Sequence, residues 1–373
     1  MLRVFSLLIS LVAISTSLLA NGPLKKPLAF IPSDSVMTWG DDRSDFRATA
    51  LTVAPDVQTR PVMLKSEDLK RYKKDVAIWE DEILPNLNIL GGLGAVGDMS
   101  LVLPTTKMVP LAGKLFLQTA DASYMEVLER AAYNAFMAIL SPGDLNFEKH
   151  VTAQATMDLS GMIYAADAEG LYVNFYTNSS TRIKTDRLNF VIDQLTGMPH
   201  SNRVKIRLTG LKKGKQPIVL RLRMPSWAYG EMPKCMPFAL AGTPENLPKI
   251  YVNGREETYQ LEKGYLVISR LWNSGDEVYF DFPFHVQQLY VANKGKKVMD
   301  KYALQRGPLV YGFERVSVGT VNLNGAKFEE KEEPNAKGHT VVAYEMKSAD
   351  HKPQVLEAQP VMDGVRSLWI EVK

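Results

Sequence analysis

The side chains with which this chain of 373 residues could do chemistry are 41 acidic residues, five histidines and one cysteine. Paired carboxyl groups can work as acid and base on a glycosidic bond, provided they flank it. With acids spread along the whole chain, spacing alone singles out no such pair. His150, His200, His285, His339 and His351 are scattered, and none has metal-ligand spacing with another histidine or an acid. Cys235 alone can form neither an internal disulfide nor a cysteine-rich zinc site. No activating neighbour is visible in sequence, so it reads as a half-buried loop residue rather than a nucleophile. Gly92-Leu-Gly94-Ala-Val-Gly97 has the spacing of a dinucleotide fingerprint. That fingerprint needs a strand before it and a helix opening within it. Here a helix ending at Pro85 precedes it, and Met99–Pro104 lacks helical period, so a glycine-rich turn is the better reading. No nucleophile elbow and no phosphate loop occurs. Asn178-Ser-Ser180 has the form of an N-glycosylation acceptor.

The elements that must position these groups fall into two kinds. Leu69, Tyr72, Val76, Trp79 and Ile83 recur at helical steps, predicting a helix over residues 66–84 closed by Pro85. Tyr124, Val127, Leu128, Ala131 and Ala135 predict a second helix over 122–140, closed by Pro142-Gly143. Its start is marked by Ser123 and Glu126 at capping-box spacing, with Asp121 as the alternative N-cap. Thr105–Gln118 is weakly helical and interrupted by Pro110. After about residue 160 the period becomes two. Val204, Ile206 and Leu208 alternate with Lys205 and Arg207; Ile218, Leu220, Leu222 and Met224 with Val219, Arg221 and Arg223; Val278, Phe280 and Phe282 with Tyr279 and Asp281. Such strands bury one face and wet the other, as in antiparallel sheets. Asp167–Gly170, Asn253-Gly254 and Asn273–Asp276 supply turns between them.

The balance of 44 basic and 41 acidic residues, net +3, argues against nucleic acid or an anionic membrane surface as partner. At the N-terminus, Arg3 followed by an apolar run from Val4 to Leu19 and then Ala20 reads as an export signal. The expectation is a secreted or periplasmic protein with no membrane segment after cleavage. The predicted organisation is a signal over 1–20, a helical region over 21–145 and a β-sandwich region over 146–373.

Several stretches follow a recognisable order. Tyr124-Met-Glu-Val-Leu-Glu-Arg-Ala-Ala-Tyr-Asn134 is similar to the last barrel helix of the β-L-arabinofuranosidases of glycoside hydrolase family 127. Gly161–Ala165 and Gly170–Tyr176 resemble the first strands of the sandwich that follows it. Met224-Pro-Ser-Trp-Ala228, Val252-Asn-Gly254, Gly264–Trp272 with Gly275-Asp276, and Ala303-Leu-Gln-Arg-Gly-Pro-Leu-Val-Tyr311 continue in register. The resemblance implies an α+β fold, the remnant of an (α/α) helical barrel followed by an antiparallel β-sandwich. It implies a glycoside hydrolase acting on plant-type glycans, with carbohydrate as partner. It also implies a zinc ion held by thiolates, one of them the nucleophile. Gly91-Gly-Leu-Gly94 matches a family turn, and Gly97-Asp98 stands where the family has Gly-Glu. Asp98 is therefore the one catalytic residue carried over. No Glu-Thr-Cys follows Leu103-Pro104, and His150–Ser160 runs into Gly161 without a cysteine pair. With those ligands absent no zinc is expected, and catalysis by the family's route is expected to be impaired. The alternatives are a carboxylate-only hydrolase, a non-catalytic carbohydrate-binding or accessory protein, and an incomplete gene product. Trp227, Tyr229 and Trp272 are candidates for stacking on sugars, with packing inside the sandwich as the competing reading.

Overall fold

The computed structural model describes residues 28–31, 69–95, 101–140, 146–212, 215–233, 236–241, 247–293, 296–313, 328–334, 340–347, 353–361 and 370–371. The expected export signal, Asp98, Cys235 and Pro142-Gly143 lie outside these residues. The fold is α+β, with a few helices against antiparallel sheets.

The first helix, α1 (Leu69–Ala77), continues as a π turn (Ile78–Ile83) and ends in a 3-10 turn (Leu84–Asn86) that contains Pro85. Tyr72, Val76, Trp79 and Ile83 are buried as their spacing requires, whereas Leu69 stays 39% exposed at the helix start. Helix α2 (Val102–Thr119) runs straight through Pro110. Pro110 removes one backbone donor, but Met108, Val109, Ala112, Leu115 and Phe116 are buried around it. Packing on that scale overrides a local propensity. Helix α3 (Ala122–Arg130) passes through a second π turn (Ala131–Phe136) into α4 (Met137–Leu140), and α5 spans Phe147–Ser160. Helical structure thus extends to residue 160.

Asp121 is the N-cap of α3, accepting from the Ser123 backbone N–H at 2.9 Å. The reciprocal capping box does not form: the Ser123 hydroxyl has no partner, and Glu126 turns toward the sandwich instead. Asp121→Ala is expected to cost about 1 kcal/mol in urea unfolding. Ser123→Ala is expected to leave the midpoint unchanged.

Two six-stranded sheets form the sandwich. The first is ordered β1 (Ala29–Ile31), β2 (Tyr164–Ala166), β3 (Gly170–Val173), β7 (Gln216–Arg223), β12 (Tyr265–Trp272) and β11 (Gln260–Glu262). The second runs β10 (Arg255–Glu257), β9 (Ile250–Val252), β13 (Glu277–Asp281), β6 (Arg203–Thr209), β5 (Asn189–Thr196) and β4 (Ser179–Lys184). All pairs in these sheets are antiparallel except β3 with β7. There Gly170 lies so close to β7 that an added Cβ would stand 1.8 Å from the Val219 carbonyl oxygen, so only glycine fits. The predicted alternation holds on β6 and β13. Val204, Ile206, Leu208, Val278 and Phe280 point inward, while Arg203, Lys205 and Arg207 lie in solvent. Tyr176 packs edge-on to Phe280 and Phe282 between the sheets.

The outer face of the first sheet is covered by the helices. Phe116 of α2 packs against Phe30, Tyr172 and Tyr265. Strand β3 is in consequence buried on both faces. A third, eight-stranded sheet contains the hairpin β15 (Lys296–Arg306) and β16 (Leu309–Phe313), with β14 (Val286–Asn293) beside β15.

Candidate functional site

The polar side chains with the densest buried network sit where α3 meets the sandwich. Glu129 and Glu126 lie one turn apart on α3, Glu129 at 1% exposure and Glu126 half-buried. Facing them is the end of β7 with the 3-10 turn that follows (Ser226–Tyr229). Arg223, fully enclosed, pairs with the Glu129 carboxylate and donates through Nε to the Asn174 carbonyl. The other Glu129 oxygen accepts from the Trp227 indole N–H at 3.1 Å. Glu126 Oε1 accepts from both the backbone N–H and the hydroxyl of Ser226. Tyr176 O–H donates to the Arg223 carbonyl at 2.6 Å, which fixes the same strand end.

The next two turns of the helix hold the β15–β16 hairpin. Arg130 donates through Nη1 to Gln305 at 2.9 Å and through Nε to the Ile89 carbonyl at 2.7 Å. Gln305 in turn donates to the Gly307 carbonyl. Asn134 donates to the Pro308 carbonyl at 3.0 Å and accepts from the Val310 N–H at 2.8 Å. The glycine-rich turn is the fourth participant. Gly91 has φ +84°, and a Cβ on it would lie 2.6 Å from the Ala131 backbone nitrogen. The turn is therefore a packing device against the helix, not a phosphate cradle.

Burial raises the Glu126 carboxyl to about 7, aided by Glu129 and opposed by the Ser226 hydrogen bonds and Arg223. Burial likewise pushes the Arg130 guanidinium down to about 10, against the pull of Glu126 and Glu129. For Arg223, burial would lower the value, but Glu129 and Glu126 outweigh it and the net direction is upward. The folded protein therefore holds the Glu126 proton more tightly than the unfolded chain does. Its contribution to stability is fully present below the unfolded carboxylate range and is lost as pH rises through about 7. Between pH 5 and pH 8 the loss is expected to be on the order of 2 kcal/mol, after allowance for the partly exposed side chain. Glu126→Gln is expected to remove that part of the pH dependence, as read from urea midpoints at the two pH values.

Arg223, Glu126, Glu129, Arg130 and Gln305 were not among the predicted site residues. The available signal was that three of the resembling motifs, Tyr124–Asn134, Met224–Ala228 and the most specific of them, Ala303–Tyr311, all meet at this junction. Trp227 and Trp272 are core residues. Trp227 packs edge-on to Phe282 and Phe284, and Trp272 is fully enclosed with its N–H on the Ile218 carbonyl. Tyr229 is half-buried.

A zinc ion held by thiolates does not fit the donors this chain offers. One cysteine occurs in 373 residues, and among the described residues no three His, Cys, Asp or Glu side chains converge as a metal site.

A helical segment clamped by buried carboxylates onto a two-sheet sandwich defines the class of the molecule. Residues 170–284, which comprise β3 to β13, match the family model described as Beta-L-arabinofuranosidase, GH127 middle domain. This stretch is similar to the GH127 middle domain, and the resemblance of the chain to glycoside hydrolase family 127 rests on it. The fold is shared with a solved GH127 β-arabinofuranosidase (TM-score 0.66, 22% identity), over 83% of this chain and 57% of that one. It is shared as well with a GH127 β-L-arabinofuranosidase from Geobacillus stearothermophilus T6 (TM-score 0.64, 21% identity, 82% and 57% covered). A solved glycoside hydrolase matches with TM-score 0.64 at 16% identity, with 83% and 63% covered. The chain thus spans less than two thirds of each of these structures. No curated protein sequence matches it.

Proposed function

We propose that this is an exported, secreted or periplasmic protein of family 127 lineage that binds arabinofuranose-bearing plant-type glycans and does not cleave them by zinc–thiolate chemistry. The observation that carries the reading is the commitment of the junction carboxylates within a chain that has one cysteine. Glu129 is held by Arg223 and Trp227, and Glu126 by Ser226. A carboxylate so engaged is a structural tie before it is a catalyst. Helices α1 to α5 are read as part of an (α/α) barrel wall, and the sandwich as the scaffold that orients it.

The test is to incubate the purified full chain with arabinofuranose-terminated oligosaccharides, with and without added zinc. Binding by calorimetry and release of free arabinose are both measured. Binding without release is the expected result. Zinc-dependent release overturns the proposal. A second reading, hydrolysis by carboxylates alone, is favoured by the near-neutral Glu126. Zinc-independent release abolished by Glu126→Gln or Asp98→Asn would establish it.

A further inference from the structure

Between α3, the turn after β7 and the hairpin at Pro308 lies a recess of about 280 Å³, its open mouth included. Glu126, Glu129 and Arg130 supply its polar part; Trp227, Met232, Met236 and Pro308 are among its apolar walls. The enclosed part has room for about one water-sized group. A whole sugar ring does not fit there, but a single hydroxyl does.

Arg130 is 7% exposed, and its Nη2 has no hydrogen-bond partner although Nε and Nη1 are both satisfied. Glu126 uses only Oε1 toward Ser226; among the described residues Oε2 has no hydrogen bond. A free donor and a free acceptor therefore line one recess. An alcohol satisfies both at once, donating to the carboxylate and accepting from the guanidinium. Apolar walls with a few convergent polar groups are the usual make-up of a small-molecule site. Charge points to a neutral ligand. Arg130 and Arg223 already stand among the acidic side chains Glu126 and Glu129, so an ion would add an unmatched charge to a buried group that carries both signs.

We propose that this recess is a subsite for one hydroxyl or hydroxymethyl group of a glycan. The group sits between Arg130 and Glu126, and the sugar ring rests in the mouth against Met232 and Met236. Both are unbranched thioethers that can re-seat to admit it. The proposal rests on the glycan-binding reading above and deepens it.

The experiment titrates the full chain with methyl β-L-arabinofuranoside and, as a small-polyol control, glycerol. Wild type is compared with Met232→Trp, which fills the mouth, and with Glu126→Gln, which keeps the shape but changes the acceptor. Circular dichroism and Tm establish that each variant is folded. Wild type is expected to bind the glycoside and not glycerol, with both variants about tenfold weaker. If wild type binds and both folded variants bind equally well, the recess is not the subsite, and the glycan-binding reading stands without it. If wild type binds no arabinofuranoside at all, both fall together.

Discussion

Arg223→Met is expected to lower stability by about 3–5 kcal/mol, seen as a large drop in the urea midpoint. The substitution leaves the Glu129 carboxylate buried at 1% exposure, with the Trp227 N–H as its remaining hydrogen bond and Arg130 as its remaining cation. It also frees the Asn174 carbonyl that Arg223 Nε satisfies. The loss comes from the stranded charge more than from the missing attraction. The double variant Glu129→Leu with Arg223→Met removes both charges and is expected to recover most of the deficit. A single variant as stable as wild type would mean that the junction is wet and the pair weak.

Trp272→Ala is expected to cost about 3–5 kcal/mol by opening a cavity inside the sandwich. The indole is fully enclosed and donates to the Ile218 carbonyl at 2.9 Å, while the Arg270 guanidinium lies 5.2 Å from its ring centre. Thermal unfolding measures the loss. Glycan affinity of the folded fraction is expected to be unchanged. A loss of affinity at unchanged Tm would instead place Trp272 on a sugar.

The strands were legible because their chemistry is local. On β6 and β13 one face meets the opposite sheet and the other meets water, so alternation in sequence is alternation in space. Strand β7 shows where this stops. Arg223 stands at a position that the period assigns to solvent, and β7 would expose it if α3 were not there. That cover comes from a residue 94 positions away, and no window along the chain contains it. Pro110 misleads in the same way. Judged locally it interrupts a helix, but the burial of α2 on both sides of it decides the outcome. Glu126 has the spacing of a capping box, yet a stronger partner, Ser226, lies 100 residues on. The motifs that carry the family resemblance thus mark a mechanical joint. Asp98, the one residue the resemblance ties to catalysis, falls outside the described structure.

The parallel seam between β3 and β7 governs the order in which a growing polypeptide can mature. Strand β3 ends at Val173, and its neighbour does not begin until Gln216, after β4, β5 and β6 have been laid into the other sheet. Until then Glu129 of α3 lacks Arg223, its ion-pair partner. Arg130 waits longer still, for Gln305, 175 residues downstream. A nascent chain released before β15 therefore carries Arg130 without Gln305 and β14 with an open edge, a species suited to capture by chaperones or proteases. Vectorial synthesis makes the β15–β16 hairpin the latch that completes the junction made before it.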